Sequence, residues 1–239
     1  MKDQYAGDIG DFAKLGLLRY LNISRLGVIW YKNISVEFGS DGKFTEYLYR
    51  QNEFGKYDQK LFDYFKNMVI KDQDRKIYRL EKIIRKSATA TFFEEQVLNG
   101  IRRAEWFGKA CKEIDNQNCE LVFVDPDNGI DCESLYDSVG EKHVCLQEIS
   151  ELSRYSSLLA YHHLPREKHA DHIEKVLNIL NSKTNRPVHA IRAGRFSPRA
   201  FFLISSNKKL QENFKYFSEK WKRFLITNPN IPYFYQTRQ

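Results

Sequence analysis

The stretch CELVFVDPDNG (119–129) decides the fold class, because an apolar run ends there abruptly in turn residues. Four consecutive apolar residues at 121–124 are typical of a strand that is buried on both faces of a parallel sheet. Four similar runs are LGVIWY (26–31), LLAYHHL (158–164), VHAIRAG (188–194) and AFFLIS (200–205). Helical patterns separate most of these runs, and a short turn joins the last two. We therefore expect a single α/β domain over 1–239, with a mostly parallel sheet and an antiparallel terminal hairpin.

Composition and charge indicate a globular protein with an anionic partner. Of the 239 residues, 42% are hydrophobic, enough for a sizeable core, and the formal net charge is +7. A basic excess of this size favours nucleic acid, either DNA or RNA, as the partner. The four cysteines form no CxxC pair, and we find no secretory leader and no apolar run of about 18 residues. We expect a cytoplasmic protein that does not enter a membrane, and the oligomeric state stays open.

The sequence before the DPDNG motif contains two regions with helical patterns. The segment 58–114 is basic with helical periodicity, which predicts a helical insertion. In YAGDIGDFAKLGLL (5–18), apolar residues recur every three positions from Phe12, which predicts a helix with Asp11 as its N-cap. Capping accounts for Asp11 but leaves the nearby Asp8 unexplained.

Polar residues follow two of the apolar runs directly. In open α/β sheets, ligands bind beyond the carboxyl ends of the strands, so these residues are candidates for a site. They are Asp125, Asp127 and Asn128 after the 121–124 run, and His162 and His163 after LLAY. Because neighbouring side chains of a strand point to opposite faces, we expect at most one of the two histidines to face the cleft.

DPDNG also has a simpler interpretation as a β-turn. Turn chemistry accounts for Pro126, Asn128 and Gly129 but not for Asp125, which directly follows the predicted buried strand. Asp125 and Asp127 are suited to binding a divalent metal, or to acting as general base and electrostatic stabiliser. Arginines around the turn at 192–199 suit phosphate contacts, and an exposed basic hairpin is the alternative.

Two motifs resemble those of a known family. YAGDIGDFAKLGLLRYL (5–21) is similar to the N-terminal H-A-G-N-x-x-D-x-x-K-H helix of the rRNA adenine-N6 methyltransferases of the RlmJ family, with Gly7, Asp11 and Lys14 in register. LVFVDPDNG lies where Rossmann-like methyltransferases carry D-P-P-[YF]. The resemblance implies a Rossmann-like sheet, S-adenosylmethionine (SAM) as cofactor, and a position for Asp8 against the cleft.

Two departures from the family pattern favour a different chemistry. KNISVEFGSDG (32–42) follows the first strand without the acidic, glycine-containing turn that approaches SAM, and Asp41 in it is interpreted as a turn residue. Asp127 replaces the second proline of D-P-P-[YF]. A strand followed by D-P-x-x-G, with a histidine after a later strand, resembles uracil-type DNA glycosylases in chemistry only. Both departures favour a hydrolytic enzyme on the same scaffold that does not use SAM.

The favoured function is a nucleic-acid hydrolase that cleaves the N-glycosidic bond of a base. In this hypothesis Asp125 orients water, Asp127 and Asp8 assist, and His162 or His163 serves the leaving base. The residues expected to bind substrate are Lys14, Asp11, Asn128, Arg192, Arg195, Ser197 and Arg199. One alternative is a SAM-dependent amino methyltransferase of nucleic acid, and the other is a non-catalytic nucleic-acid-binding protein. No cofactor is favoured, and a divalent metal is left open.

Overall fold

The computed structural model describes residues 3–33, 44–228 and 230–237 of the chain. Most of the predicted loop after the first strand, including Asp41, lies outside the described residues. The comparison of that loop with a SAM-binding turn therefore stays a prediction.

The described residues form nine β-strands and nine α-helices. The strands are β1 (Arg25–Ile29), β2 (Thr89–Phe93), β3 (Leu121–Val124), β4 (Gly129–Asp131), β5 (His143–Cys145), β6 (Ser157–His163), β7 (Val188–Ala193), β8 (Arg199–Ile204) and β9 (Phe234–Gln236). The helices are α1 (Ile9–Leu21), α2 (Gln51–Phe54), α3 (Gln59–Lys66), α4 (Ile77–Arg85), α5 (Arg103–Asp115), α6 (Leu146–Tyr155), α7 (His169–Thr184), α8 (Lys208–Lys220) and α9 (Lys222–Leu225). Within the described ranges, none of these helices has the length and apolar character that crossing a bilayer requires.

Seven strands form one mixed sheet in the order β2-β1-β3-β6-β8-β7-β9. The pairs from β2 through β1 and β3 to β6 are parallel, whereas β8, β7 and β9 add antiparallel pairs. The α/β fold class and the β7–β8 hairpin are thus confirmed. Near the C-terminus, β9 pairs with β7 beyond the hairpin, so β9 rather than β7 lies at that edge of the sheet. A separate pair, β4 with β5, follows the DPDNG turn.

The segment 58–114, expected to be a helical insertion, contains a strand as well as helices. Within it, β2 separates α4 from α5 and pairs in parallel with β1 at the edge of the sheet. Its sequence TATFF carries the β-branched and aromatic residues that suit a strand. Basic helical segments on both sides of this short run dominate the periodicity, which is why the pattern predicts helix throughout.

Helices cover both faces of the sheet. One face packs against α1, α3, α4 and α8, and its centre is an aromatic group around the fully buried Phe12. The Phe12 ring lies 5.4 Å from the rings of Tyr47 and Trp221 and 6.0 Å from that of Phe224, measured between centroids. The opposite face packs against α5, α6 and α7. This arrangement fixes α1 on the sheet, beside the carboxyl ends of β3 and β6.

The aromatic group makes a prediction about stability. Phe12→Ala is expected to lower the free energy of unfolding by about 3–5 kcal/mol, because it removes a ring from a packed core and leaves a cavity. Tyr216→Ala on α8 is the matched control, since 56% of Tyr216 is exposed. Its effect should stay within about 0.5 kcal/mol. Urea denaturation checks both variants, and equal losses would contradict the central position of Phe12.

Candidate active site

A cavity of about 260 Å³ opens at the carboxyl ends of β3 and β6. We call it the cleft. Its lining residues come from the start of α1, the DPDNG turn, the end of β6 and the start of β8. They are Tyr5, Asp8, Asp11, Lys14, Phe44, Asp125, Pro126, Asp127, Asn128, Lys142, Tyr161, His163, Ser197 and Arg199. The chain therefore brings Asp8 and Asp125 to one cavity, as the sequence-based hypothesis expects.

The first turn of α1 presents two carboxylates to the cleft. Asp8 is the N-cap: its side chain accepts a hydrogen bond from the backbone N–H of Asp11 at 2.9 Å. The Asp11 carboxylate in turn accepts from the N–H of Gly7 at 3.0 Å. The prediction that Asp11 is the N-cap is therefore wrong, because the helix begins at Ile9, three residues earlier than its periodic apolar face suggests.

Gly10 explains why the helix start is hard to read from the sequence. Glycine normally disfavours helix, so GDIGD indicates a loop. Here a Cβ at Gly10 would lie only 1.6 Å from Nη1 of Arg199. The glycine thus leaves room for an arginine from the start of β8 to pack against the first turn of α1.

A buried lysine joins α1 to the sheet. Nζ of Lys14 donates to both carboxylate oxygens of Asp125, at 3.0 and 2.8 Å, and lies 2.9 Å from Oδ1 of Asp11. The same ammonium lies 4.9 Å from the ring centroid of Tyr161. Lys14 is 8% exposed, and both aspartates are 2% exposed. We call these three charged groups the Asp11–Lys14–Asp125 cluster, and they form the floor of the cleft.

Burial and mutual charge set the titration of the cluster. Burial raises the pKa of Asp11 to about 6, an effect that Lys14 partly offsets and that Asp8 and Asp125 reinforce. Burial alone would lower the pKa of Lys14, but the Asp11 and Asp125 carboxylates raise it well above its usual value. Lys14 therefore stays charged at neutral pH. The net charge of the cluster becomes more negative as the pH rises through about 6.

The position of Lys14 bears on the metal hypothesis. Its ammonium lies where a cation between Asp11 and Asp125 would lie, and it supplies their countercharge. Across the part of the chain that the structure describes, no three His, Cys, Asp or Glu side chains are grouped as ligands for a metal ion. The contacts of the described residues thus favour a charge cluster over a metal centre.

The DPDNG turn holds Asp127 and Asn128 at the cleft wall. The N–H of Asn128 donates to the carbonyl of Lys142 at 2.9 Å, and its carbonyl accepts from the N–H of His163 at 3.1 Å. Gly129 has φ +107°, and a Cβ there would lie 2.6 Å from Cα of His162. The two interpretations of DPDNG are therefore compatible: it forms a turn, and that turn is part of the cleft wall.

The two histidines face opposite sides of β6. His163 is exposed and lines the cleft, with Nδ1 at 3.5 Å from Oγ of Ser197. His162 is buried away from the cleft, and its Nδ1 accepts from the N–H of Ile130 at 2.9 Å. Its Nε2 lies 2.7 Å from Nε2 of His172. Because burial lowers the pKa of His162 to about 3, this ring is neutral at pH 7 and supports the loop from behind.

The three predicted arginines differ in placement. Arg199, 5% exposed, lines the cleft, and its Nε donates to the carbonyl of Ser197 at 2.9 Å. Arg192 is buried elsewhere and donates from Nε to the carbonyl of Pro232 at 3.0 Å, so it supports the C-terminal segment. Arg195 donates to the Glu53 carboxylate at 2.9 Å and does not line the cleft. The predicted substrate-binding roles of Arg192 and Arg195 therefore have no support from their positions.

Several lining residues are absent from the sequence-based prediction. Tyr161 lies two positions before His163, so both side chains point to the same face of β6. The alternation of side chains along a strand could therefore have predicted Tyr161 as a lining residue. Phe44 and Lys142 come from loops or turns, and Tyr5 ends a three-residue 3-10 helix (Asp3–Tyr5), so no periodic pattern indicates which way these side chains point.

Comparisons with known proteins add no assignment. No protein-family model matches the chain, and no curated protein matches it significantly. Any function must therefore be argued from the cleft and its side chains.

The charge cluster predicts a pH-dependent loss of stability in Lys14→Met. Removing the ammonium leaves two buried carboxylates side by side, which at pH 8 should cost about 3–5 kcal/mol of unfolding free energy. At pH 5 the loss relative to wild type should be smaller, because Asp11, whose pKa is about 6, can then take up a proton. Urea denaturation of wild type and Lys14→Met at pH 8 and pH 5 measures the loss of unfolding free energy.

A double variant separates charge from packing. Lys14→Met with Asp125→Asn removes one of the two facing charges and should recover part of the loss at pH 8. If Lys14→Met loses the same stability at both pH values and the second substitution recovers nothing, the role of Lys14 is packing alone.

His162 makes a second pH prediction. Below pH 6.5 the unfolded chain protonates this histidine, whereas the folded chain does so only near pH 3. Its neutral burial therefore costs up to about 1.4 kcal/mol per pH unit as the pH falls through this window. His162→Asn keeps an acceptor for Ile130 without a titrating ring, so its stability should fall less steeply from pH 6 to 4. The control is His163→Asn, at the exposed neighbouring position, whose stability should fall with pH as steeply as that of wild type. If wild type and both variants lose stability equally steeply from pH 6 to 4, the neutral burial of His162 is not the cause.

Proposed function

We propose that this protein is a nucleic-acid hydrolase that releases a base by cleaving its N-glycosidic bond, without SAM. The observation that carries the proposal is the Asp11–Lys14–Asp125 cluster at the floor of a polar cleft, beyond the carboxyl ends of β3 and β6. In the reaction the bond from C1′ of the sugar to the base nitrogen breaks and the oxygen of water bonds to C1′. The proton that water loses balances the proton that the departing base gains.

The carboxylates of the cleft suit this chemistry. A carboxylate has about four acceptor positions, and Lys14 uses two of those on Asp125, so Asp125 can still orient a water molecule. Asp127 and Asp8 line the same cavity and add negative charge. Negative charge near the sugar stabilises the positive charge that develops there as the base departs.

A donor for the leaving base is also available. His163 lines the cleft, whereas His162 faces the opposite side of β6. The role that the sequence left open between them therefore falls to His163, as hydrogen-bond donor or general acid. Lys14 remains charged, but its ammonium contacts Asp125 and Asp11, so we give it the role of positioning these carboxylates rather than of donating to the base.

The size and rim of the cleft favour a nucleic-acid substrate. Pockets for drug-sized ligands measure roughly 300–1,000 Å³, and this cavity of about 260 Å³ suits one nucleoside rather than a longer segment. Arg199 and Lys142 contribute cations to its walls, and the chain carries a net charge of +7. Cations of this kind contact phosphates on either side of a bound nucleotide.

A SAM-dependent amino methyltransferase of nucleic acid is the second candidate. Two observations favour it: DPDN, at the position of the family motif, lines the cleft, and β7 and β8 form the antiparallel hairpin that the resemblance implies. It differs from the hydrolase in requiring SAM, so one experiment separates the two.

The decisive experiment incubates the protein with single-stranded and duplex DNA and RNA, with and without modified bases, in the presence and absence of SAM. We expect free base, detected by mass spectrometry, whether or not SAM is added. Asp125→Asn should reduce the rate at least about 100-fold, by analogy with the loss of other electrostatic groups at reacting centres. Asp137→Asn, an exposed aspartate outside the cleft, is the matched control and should keep the wild-type rate.

Other outcomes contradict the proposal in distinct ways. Methylated product that requires SAM would establish the methyltransferase instead. Binding with a steep salt dependence but no product would indicate a non-catalytic nucleic-acid-binding protein. Base release that survives Asp125→Asn unchanged would show that the cleft is not where the chemistry occurs.

A further inference from the structure

Two exposed phenylalanines lie together at the mouth of the cleft. Phe44 is 45% exposed and Phe196 is 40% exposed, and their ring centroids are 5.8 Å apart. Phe44 lines the cleft, and Phe196 directly precedes Ser197, which also lines it. Among the exposed large hydrophobic residues that the structure describes, these two are the pair whose rings contact each other. Exposed rings beside a polar cavity indicate a binding surface rather than a core.

The backbone holds both rings in place. Phe196 has φ +66°, a conformation that is uncommon for a bulky residue and that persists only where the surrounding structure enforces it. Its ring also contacts that of the buried Phe54, with centroids 6.5 Å apart. Phe44 is tied to the first turn of α1, because its carbonyl accepts from the N–H of Ile9 at 3.0 Å. The backbone of Phe44 and the ring of Phe196 are therefore held by neighbours, which reduces the ordering needed when a ligand binds.

Cationic and polar groups line the same cavity as Phe44. Arg199 and Lys142 line the cleft, and Ser197 lies between Phe196 and Arg199 in the chain. Aromatic faces next to cations are how proteins bind single-stranded nucleic acid: the bases stack on the rings and the cations contact the backbone. In a duplex, both faces of each base are already stacked on neighbours, so such a platform favours unpaired nucleotides.

We propose that Phe44 and Phe196 form a stacking platform for an unpaired base of the nucleic-acid substrate, next to the nucleotide whose base enters the cleft. The proposal rests on the proposed function for the identity of the ligand, and it adds that the substrate is single-stranded or locally unpaired. The platform holds the neighbouring base, and Arg199 contacts the phosphate between the two nucleotides.

Fluorescence anisotropy with labelled 12-nucleotide probes tests the platform. The probes are a single strand, the same strand in a duplex, and a strand of abasic sugars with the same phosphates. Wild type should bind the base-containing single strand more tightly than the other two. Phe196→Ala and Phe44→Ala should each weaken binding to that strand about 10-fold, with little change for the abasic strand, because only stacking is lost.

Matched variants control for folding and surface effects. Phe196→Gly removes the ring at a position whose φ glycine tolerates, so it should bind as weakly as Phe196→Ala while remaining folded. Phe196→Trp should retain tight binding. Tyr216→Ala, an exposed aromatic on α8, should bind like wild type. Equal affinity of wild type, Phe196→Gly and Phe44→Ala for the base-containing strand would overturn the platform.

The platform and the hydrolase proposal fail separately. If these variants lose binding but no free base is ever detected, the platform stands and the proposed chemistry falls. If base release proceeds and neither phenylalanine affects affinity or KM, the platform falls and the chemistry stands. A preference for duplex over the single strand would also overturn the platform.

Discussion

The cleft depends on one buried interaction, the contact of the Lys14 ammonium with the Asp125 carboxylate. It joins residues 111 positions apart and fixes the first turns of α1 against the end of β3. Leaving either charge buried without the other would cost several kcal/mol, so the lysine determines where the start of α1 lies. Asp11 shares the same ammonium, and Asp8 follows as the cap of the helix that Lys14 anchors.

The alternation of side chains along β6 determines which of its residues face the cleft beside this contact and which face away. Tyr161 and His163 point from β6 into the cleft, while His162 between them points to the opposite face and accepts from the N–H of Ile130. Gly129 permits this arrangement, because any side chain there would meet His162. One short strand therefore supplies both a wall of the cleft and the support behind the loop that carries Asp127.

Sequence patterns predict those elements whose form depends on their own residues, and they miss those that depend on contacts far away in the chain. Strand β3 and the middle of β6 are buried on both faces, which requires apolar runs, and polar residues just beyond β3 and at the last position of β6 line the cleft. Strand β2 pairs on one side only and lies between basic helices, so its five residues leave no comparable signal. The start of α1 could not be predicted, because Gly10 is there to accommodate Arg199, a contact with a residue far away in the chain. Phe44 and Lys142 reach the cleft from loops, where sequence patterns do not specify direction.

The charge distribution of the cleft is consistent with the proposed chemistry at the sugar. The protein is basic overall, and Arg199 and Lys142 lie in the walls of the cleft, which suits the polyanionic substrate that we propose. The floor has the opposite character, because Lys14 is the single ammonium between the carboxylates of Asp11 and Asp125, with Asp8 and Asp127 nearby. A phosphate drawn to that floor would face carboxylates, whereas a sugar that gains positive charge as its base departs would be stabilised there. In the hydrolase that we propose, the phosphates contact the walls of the cleft and the bond to the base is cleaved at its floor, which keeps the phosphates away from the carboxylates of Asp11 and Asp125.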